Sequence, residues 1–152
     1  MSWSGVVSVY NAHLVTAGAT LSPKITTVLR GQPTGLTTVP VISYWWGGRR
    51  ESTTGGNTLT RVNVEEALVT MIYVPESVRL PNRAETIEDY LRGAVDAFQS
   101  ELWGDVQLGG NAIGISELDA VESGWATISG TEARMASWTV WVDLAEVHSI
   151  AV

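Results

Sequence analysis

The sequence predicts an α+β fold, a mixed or antiparallel β-sheet of about four to five strands packed by one long amphipathic helix and an N-terminal helix. A β-rich run from Val62 to Val74 ends at Pro75, and a helical pattern follows from Asn82 to about Trp103. A last strand, Arg134 to Leu144, alternates apolar residues onto one face. A single striped helix must bury its apolar face against a sheet. The order of elements leaves no room for a cofactor-binding repeat of strands and helices.

Both helices are predicted from apolar residues that recur at helical spacing. The first should run from Ser4 to about Ala19, with Ser2 or Ser4 as N-cap and Gly18 near its end. Gly104 follows the long helix where a C-cap would lie. The two stripes are Val6, Val9, Tyr10, His13, Leu14 and Ala17, then Ile87, Tyr90, Leu91, Ala94, Val95, Phe98 and Leu102.

The remaining strands are predicted from β-branched and alternating segments. Ile25 to Arg30, Val39 to Trp46 and Leu59 to Val74 are the clearest, and Ile113 to Ser123 is a weaker strand. Both faces of the run from Ala67 to Val74 are largely apolar, so we expect a central strand covered on both sides. The long helix should cover one face of the sheet, and either the first helix or a neighbouring subunit should cover the other face.

Glycine-rich and polar segments predict the connections. Gly47 to Asn57 holds four glycines and should be a mobile loop, Asp105 to Asn111 a glycine-containing connector, and Gly124 to Glu132 a polar connector. No repeat or linker divides the chain, so residues 1–152 should form a single domain. The tail from Ala145 to Val152 should be flexible.

Composition limits the classes of function. The formal charge of −7 argues against nucleic-acid binding, which requires a basic face to neutralise phosphates. The absence of cysteine excludes disulfides and thiolate metal sites. Neither a signal peptide nor a membrane-length apolar stretch is visible, so we expect a protein that is soluble inside the cell that makes it.

The titratable residues form no enzyme signature. His13 lies on the first helical stripe and should be a partly buried packing residue, while His148 should be solvated. The carboxylates Glu85, Glu88 and Asp89 should be solvated. They lie in the first half of the long helix, where the helix dipole favours negative charge. No phosphate loop and no nucleophile elbow is recognisable. We therefore predict no catalytic, cofactor-binding or metal-binding residues.

Seven tryptophans in one small chain require an account. Trp138 should lie in the core, and Trp141 on the opposite face of the same strand. Trp45 and Trp46 are consecutive, so they should point to opposite faces of theirs. Exposed tryptophans beside Arg49 and Arg50 are typical of protein interfaces, but a core covered on both sides explains the same pattern equally well.

The order and spacing of these elements resemble the tail terminator (tail completion) proteins of long-tailed bacteriophages. The resemblance extends from the first helix to about Leu144. After that helix come ITTVLRGQP, VPVISYWWGG, a glycine-rich loop, EEALVTMIYVPE, the helix AETIEDYLRGAVDAF and a strand pair that ends in ARMASWTVWVDL. The terminal strand, which alternates aromatic and aliphatic residues, is the piece most similar to the family. The first loop is richer in glycine and threonine than the family pattern, and the chain has more tryptophan.

The resemblance implies a structural protein of the virion, made in the host cytoplasm, with no catalytic residues. Such proteins form a ring, expected to be hexameric, that caps the tail tube, ends its polymerisation and joins the tail to the head at the head–tail junction. The implied partners are other copies of the chain, the tail tube protein and a head-side connector or stopper; DNA only passes through the lumen, and no membrane is involved. The alternatives are another head–tail connector or tail tube protein of related fold, and less favourably a small cytoplasmic enzyme or ligand-binding domain. The candidate interface residues are Trp45, Trp46, Arg49, Arg50, Asn57, Trp125, Glu132 and Trp141.

Overall fold

The structure, a computed structural model, describes residues 2–55, 60–80, 86–144 and 146–148. Its first helix, α1, runs from Trp3 to Gly18. Ser2 is the N-cap and accepts a hydrogen bond from the Gly5 backbone N–H at 3.1 Å, as one of the two predicted caps. The predicted stripe faces inward at Val6, Tyr10, Leu14 and Ala17, so the helical period was read correctly.

The second helix, α2, runs from Ile87 to Trp103 and begins later than predicted. Thr86 is its N-cap and forms a capping box with Asp89, in which each side chain accepts a hydrogen bond from the other's backbone N–H. This box fixes the start of the helix, so a start at Asn82 is wrong, although residues 82–85 themselves lie outside the described part. Gly104 is the C-cap, as predicted, with a right-handed φ of −73°.

Within the described residues, seven strands form one sheet, more than the four to five predicted. Their order is β1-β2-β3-β6-β4, with β5 also beside β6 and β7 also beside β3. Only the β1–β2 pair is parallel among the strands described. The strands are β1 (Thr27–Arg30), β2 (Val41–Gly55), β3 (Thr60–Pro75), β4 (Gly114–Leu118), β5 (Glu122–Ile128), β6 (Thr131–Asp143) and β7 (Glu146–His148).

The predicted loop from Gly47 to Asn57 is wrong over most of its length. Strand β2 continues through it to Gly55 and pairs with β3 in the opposite direction. Two glycines are tolerated because they lie at a β-bulge between Trp46 and Gly48, where the register shifts by one residue. Asn57 lies outside the described residues, so its prediction as an interface residue has no structural counterpart.

The predicted connector from Gly124 to Glu132 is also wrong. Strand β5 occupies most of it and pairs with β6 from Glu122 opposite Ser137 to Ile128 opposite Thr131. The two turn residues, Ser129 and Gly130, have φ of 49° and 82°, the left-handed values that a two-residue hairpin requires. Polar residues were mistaken for a loop because this strand lies at the sheet edge. The predicted strand from Ile113 to Ser123 is correspondingly split into β4 and the start of β5.

The tail is held in part rather than wholly flexible. Glu146 to His148 form β7, which pairs with β3 from Thr60 to Val62. This short strand continues the line of β6 along the same neighbour. Residue 145 and residues 149–152 lie outside the described part of the chain.

Both helices pack on the same face of the sheet, here called the helix face. Tyr10 of α1 bonds to Thr70 of β3 at 2.5 Å, and Phe98 of α2 packs against Trp138 of β6, with ring centroids 6.3 Å apart. Thr70 and Trp138 are register partners and project to the same side. The first helix therefore does not cover the other face, and of the two expected alternatives only a neighbouring subunit stays a prediction.

The opposite face, here called the open face, has no helix on it among the described elements. The chain between β1 and β2 crosses this face at the end near the β5–β6 turn. There the backbone carbonyls of Thr34 and Leu36 accept hydrogen bonds from the Ser129 and Thr131 side chains. Beneath this crossing, Tyr73 and Ala133 are buried. Farther along this face toward the end of β2, Trp45, Val69 and Met71 are only half-buried although Ala67 is buried, so β3 is covered on both sides over part of its length only.

Candidate assembly interface

The β-bulge in β2 brings Trp46 and Arg49 to one side of the sheet. Strict alternation would place residues three apart on opposite faces. The register shift instead sets Trp46 opposite Leu68 and Arg49 opposite Glu66, which both project to the helix face. Gly48 has φ +123°, a conformation that disfavours any other residue.

Gly47 is required at the bulge for a different reason. A Cβ atom there would lie 2.6 Å from Val69 Cγ2 and 3.3 Å from Ala67 Cβ. The glycine pair therefore allows a close approach of β2 to β3 together with an unusual backbone turn. The glycine pair that predicted a loop in the sequence is thus what places Trp46 and Arg49 on the same face of the sheet.

Glu66 is the buried centre of this arrangement, which we call the Trp46 patch (Trp46, Arg49 and Glu66). Only 4% of Glu66 is exposed, yet its carboxylate accepts hydrogen bonds from the Trp46 indole N–H and from Arg49 Nε at 2.7 Å. Arg49 Nη2 is 2.6 Å from the same carboxylate oxygen. The indole and the guanidinium are thereby held in place while both remain more than half exposed, at 56% and 54%.

A second ion-pair cluster lies on the open face of the same strands. Arg50 bonds through Nε to Glu65 and through Nη2 to Glu117 at 2.7 Å, and its guanidinium carbon lies 4.1 Å from the Trp141 ring centroid. The two carboxylates raise the pKa of Arg50. Although burial opposes it, the bond from Arg50 lowers the pKa of Glu65. This cluster ties β2, β3, β4 and β6 together, and it occupies one face of Trp141.

The remaining candidates are spread over both faces. Trp45 is half-buried on the open face beside its register partner Val69. Trp125 is 61% exposed on the helix face of β5, and its ring lies 4.7 Å from the guanidinium carbon of Arg134. Glu132 is exposed in the same hairpin. We call Trp125 and Arg134 the Trp125 patch.

The two patches lie on the same face of the sheet, at different levels along the strands. The Trp46 patch lies at the level of Leu68 in β3, and Arg134 of the Trp125 patch pairs with Val74. At about 3.3 Å per residue, the patches are roughly 20 Å apart along the strand direction. They also lie toward opposite edges of the sheet, one on β2 and the other on β5.

Sequence reasoning missed two features of this surface. Glu66 was given no role in the sequence analysis, although its alternation with Leu68 and Thr70 places it on the buried side. Trp103, 54% exposed, was treated only as the end of α2. Its position directly after Leu102 takes it off the apolar stripe, and that signal was available in the sequence.

His13 is more than a packing residue. Its Nδ1 is 2.9 Å from Glu101 Oε1 and its Nε2 is 2.8 Å from Asp105 Oδ2, so α1 is linked to the end of α2. Burial alone would lower the pKa of His13, but the two carboxylates raise it above its ordinary value. A backbone hydrogen bond from Gly109, together with His13, lowers the pKa of Asp105.

The described residues contain no group of three or more histidine or acidic side chains arranged to hold a metal ion. In the same part of the chain, neither helix has the length and apolar character needed to cross a membrane. A comparison with protein-family models finds no match. A comparison with curated proteins likewise finds no significant match.

Proposed function

We propose that this chain is a structural, non-enzymatic subunit that closes into a ring and terminates a phage tail tube. The observation that carries the proposal is the Trp46 patch, in which the buried Glu66 fixes an exposed tryptophan and an exposed arginine. Tryptophan and arginine are the residue types that dominate binding energy at protein interfaces. Side chains ordered before contact lose less conformational entropy on binding.

The separation of the two patches supports a ring rather than a two-fold dimer. A ring contact is heterologous, so one subunit must present two different surfaces that meet head to tail. The Trp46 patch and the Trp125 patch are unlike in sequence and lie toward opposite edges of one sheet face. We propose that they belong to the two sides of the subunit contact, with Glu132 beside the second.

The acidic balance of the chain is compatible with a lumen through which DNA passes. Like charge repels phosphates, so a duplex would move without being held. The net charge of −7 supports this role for the assembled ring. The tail tube protein and a head-side connector or stopper are the proposed partners at the two ring surfaces.

Tail assembly in the presence and absence of the protein tests the function. We expect tubes of defined length with the protein and overlong tubes without it, measured by electron microscopy. A tube length that stays defined in its absence would contradict the proposal. The alternative, a tail tube subunit or other connector, is recognised by long tubes formed from the purified protein alone or by binding only to the head vertex.

Replacement of the exposed tryptophans tests the surface. Trp46→Ala and Trp125→Ala should each weaken ring formation on the tube about tenfold or more, as expected for hot-spot residues. The melting temperature of Trp125→Ala should change little because that ring is exposed. Trp46→Ala also removes a hydrogen bond to the buried Glu66, so its assembly is compared at equal concentrations of folded protein. Trp103→Ala is the matched control, since that tryptophan is exposed on α2 outside both patches. Equal effects of all three on assembly would show that the patches have no special role.

A small enzyme or ligand-binding domain is the candidate from another class. It requires a cavity with convergent polar groups. A cleft between α2 and the β5–β6 hairpin has this character in part, and its chemistry is considered next.

A further inference from the structure

A cleft of about 380 Å³ opens between α2 and strands β5 and β6. Its apolar lining is formed by Leu91, Val95, Val121 and Ala136, of which the first two belong to the inner side of α2. The volume lies in the range of small-molecule sites in proteins. A short aliphatic group therefore fits its lining in size and in chemistry.

Two hydrogen-bond donors of the cleft lack a partner. Gln99 Nε2 and Arg134 Nε are both buried without an acceptor, and both residues line the cleft. Nearly all buried polar groups in proteins are paired, so each of these donors calls for an acceptor atom. The guanidinium of Arg134 is positioned by the Trp125 ring 4.7 Å away.

The charges of the cleft are arranged around these donors. Glu88, Arg92 and Asp96 line it from exposed positions on α2, where the arginine offsets one carboxylate. Arg134 is the charged residue on the strand side of the cleft. A guanidinium and an amide donor that line the same cleft are the groups that recognise a carboxylate, whose two oxygens can accept from both.

We propose that this cleft binds a small aliphatic carboxylate. The carboxylate accepts hydrogen bonds from Gln99 Nε2 and Arg134 Nε, and the aliphatic body lies against Leu91, Val95 and Ala136. Such a ligand has two sources, a short-chain fatty acid or an apolar amino acid. In an amino acid the ammonium group would meet the carboxylates of Glu88 and Asp96. The proposal does not rest on ring formation, although Arg134 belongs both to the cleft and to the Trp125 patch.

The proposal is tested by titrating the isotope-labelled full chain with 4-methylpentanoate and measuring the backbone NMR chemical shifts. We expect saturable shifts centred on residues 91–99 and 134–136. The alcohol 4-methylpentan-1-ol, which has the same body without the charge, should bind about tenfold more weakly because it cannot satisfy both donors. A parallel titration with leucine separates the sources, since tighter binding of leucine indicates an amino acid and weaker binding a fatty acid.

Two variants identify the donors. Gln99→Met and Arg134→Lys each remove one orphan donor at similar volume and should weaken 4-methylpentanoate binding about tenfold. Arg30→Lys, at the exposed end of β1, is the matched control and should leave it unchanged. Absence of saturable binding at millimolar ligand, shifts outside the cleft, or unchanged affinity in both variants would overturn the proposal. Ring assembly that fails while the ligand still binds would contradict only the proposed function.

Discussion

The substitution Glu66→Gln isolates the contribution of the buried carboxylate at the centre of the Trp46 patch. The amide keeps the shape of the side chain but removes its charge, and its NH₂ group cannot accept from Arg49 or from the Trp46 indole. Two of the three contacts to the carboxylate come from Arg49, at 2.7 and 2.6 Å. The substitution should therefore weaken chiefly the charge-assisted pair.

The magnitude follows from the burial of each partner. A hydrogen bond to a charged group contributes about 1.5–3 kcal/mol when it is buried, but about 0.2–1 kcal/mol when the pair is exposed. Glu66 is buried, whereas about half of the Arg49 side chain is exposed and can be rehydrated. An intermediate loss of about 2 kcal/mol is expected, which lowers the melting temperature by about 4–8 °C in a domain of this size.

Urea unfolding followed by circular dichroism measures this loss, and Glu65→Gln is the matched control. Glu65 pairs with Arg50 on the open face, where both side chains are partly exposed, and its loss should cost at most about 1 kcal/mol. The double variant with Arg49→Gln should be less destabilised than the sum of the single variants, because the two residues interact directly. A Glu66→Gln loss below about 0.5 kcal/mol, or one smaller than that of Glu65→Gln, would refute the central role of the carboxylate.

Three further predictions concern the rest of the fold. His13→Gln should destabilise the protein by about 1 kcal/mol at pH 5–6 and by less above the raised pKa of His13, because a raised pKa stabilises the fold only while the imidazole is protonated. The lowered pKa of Asp105 acts in the opposite sense, and the stability that it contributes is lost as the pH falls below about 4. Unfolding measured across pH should therefore show the largest difference in stability between the variant and the unmodified protein between these two limits. A difference independent of pH would contradict the pairing. Phe98→Ala should cost about 3–5 kcal/mol in urea unfolding, since the ring is fully buried; a loss below about 1.5 kcal/mol would show that the core is repacked easily. Gly48→Ala should destabilise the protein by about 1 kcal/mol or more because Gly48 has a positive φ. Gly93→Ala, on the exposed side of α2, should instead stabilise the protein by about 0.5–1 kcal/mol. A reversed order of the two melting temperatures would contradict the bulge.

Strong periodicity made part of the fold predictable. The stripe from Ile87 to Leu102 and the alternation from Ala136 to Val142 each follow from the period of a single element. Both are buried as predicted except at Ile87, which is half-buried. The candidate site was harder to predict. Trp46, Arg49 and Arg50 were singled out from the sequence as candidate interface residues. Their partners Glu66, Glu65 and Glu117 could not be predicted, because they depend on pairing between distant strands.

The errors share a physical cause. Glycine and polar residues predict loops when a segment is considered alone. In the folded chain, β3 supplies a hydrogen-bonding partner to the glycine-rich end of β2, and β6 does the same for the polar strand β5. Strand pairing satisfies the backbone of both segments, which outweighs their weak local preference for extended structure.

The sequence by itself determined the α+β class, the two helices, the buried stripe of each and the inward alternation of β6, because each depends on the periodic spacing of apolar residues within one element. Only the tertiary structure decided that both helices share one face, that the presumed loop is a strand, and that a one-residue bulge turns Arg49 toward Trp46 and the buried Glu66. These features depend on register between strands that lie far apart in the sequence, and a shift of one residue reverses the face on which a side chain lies.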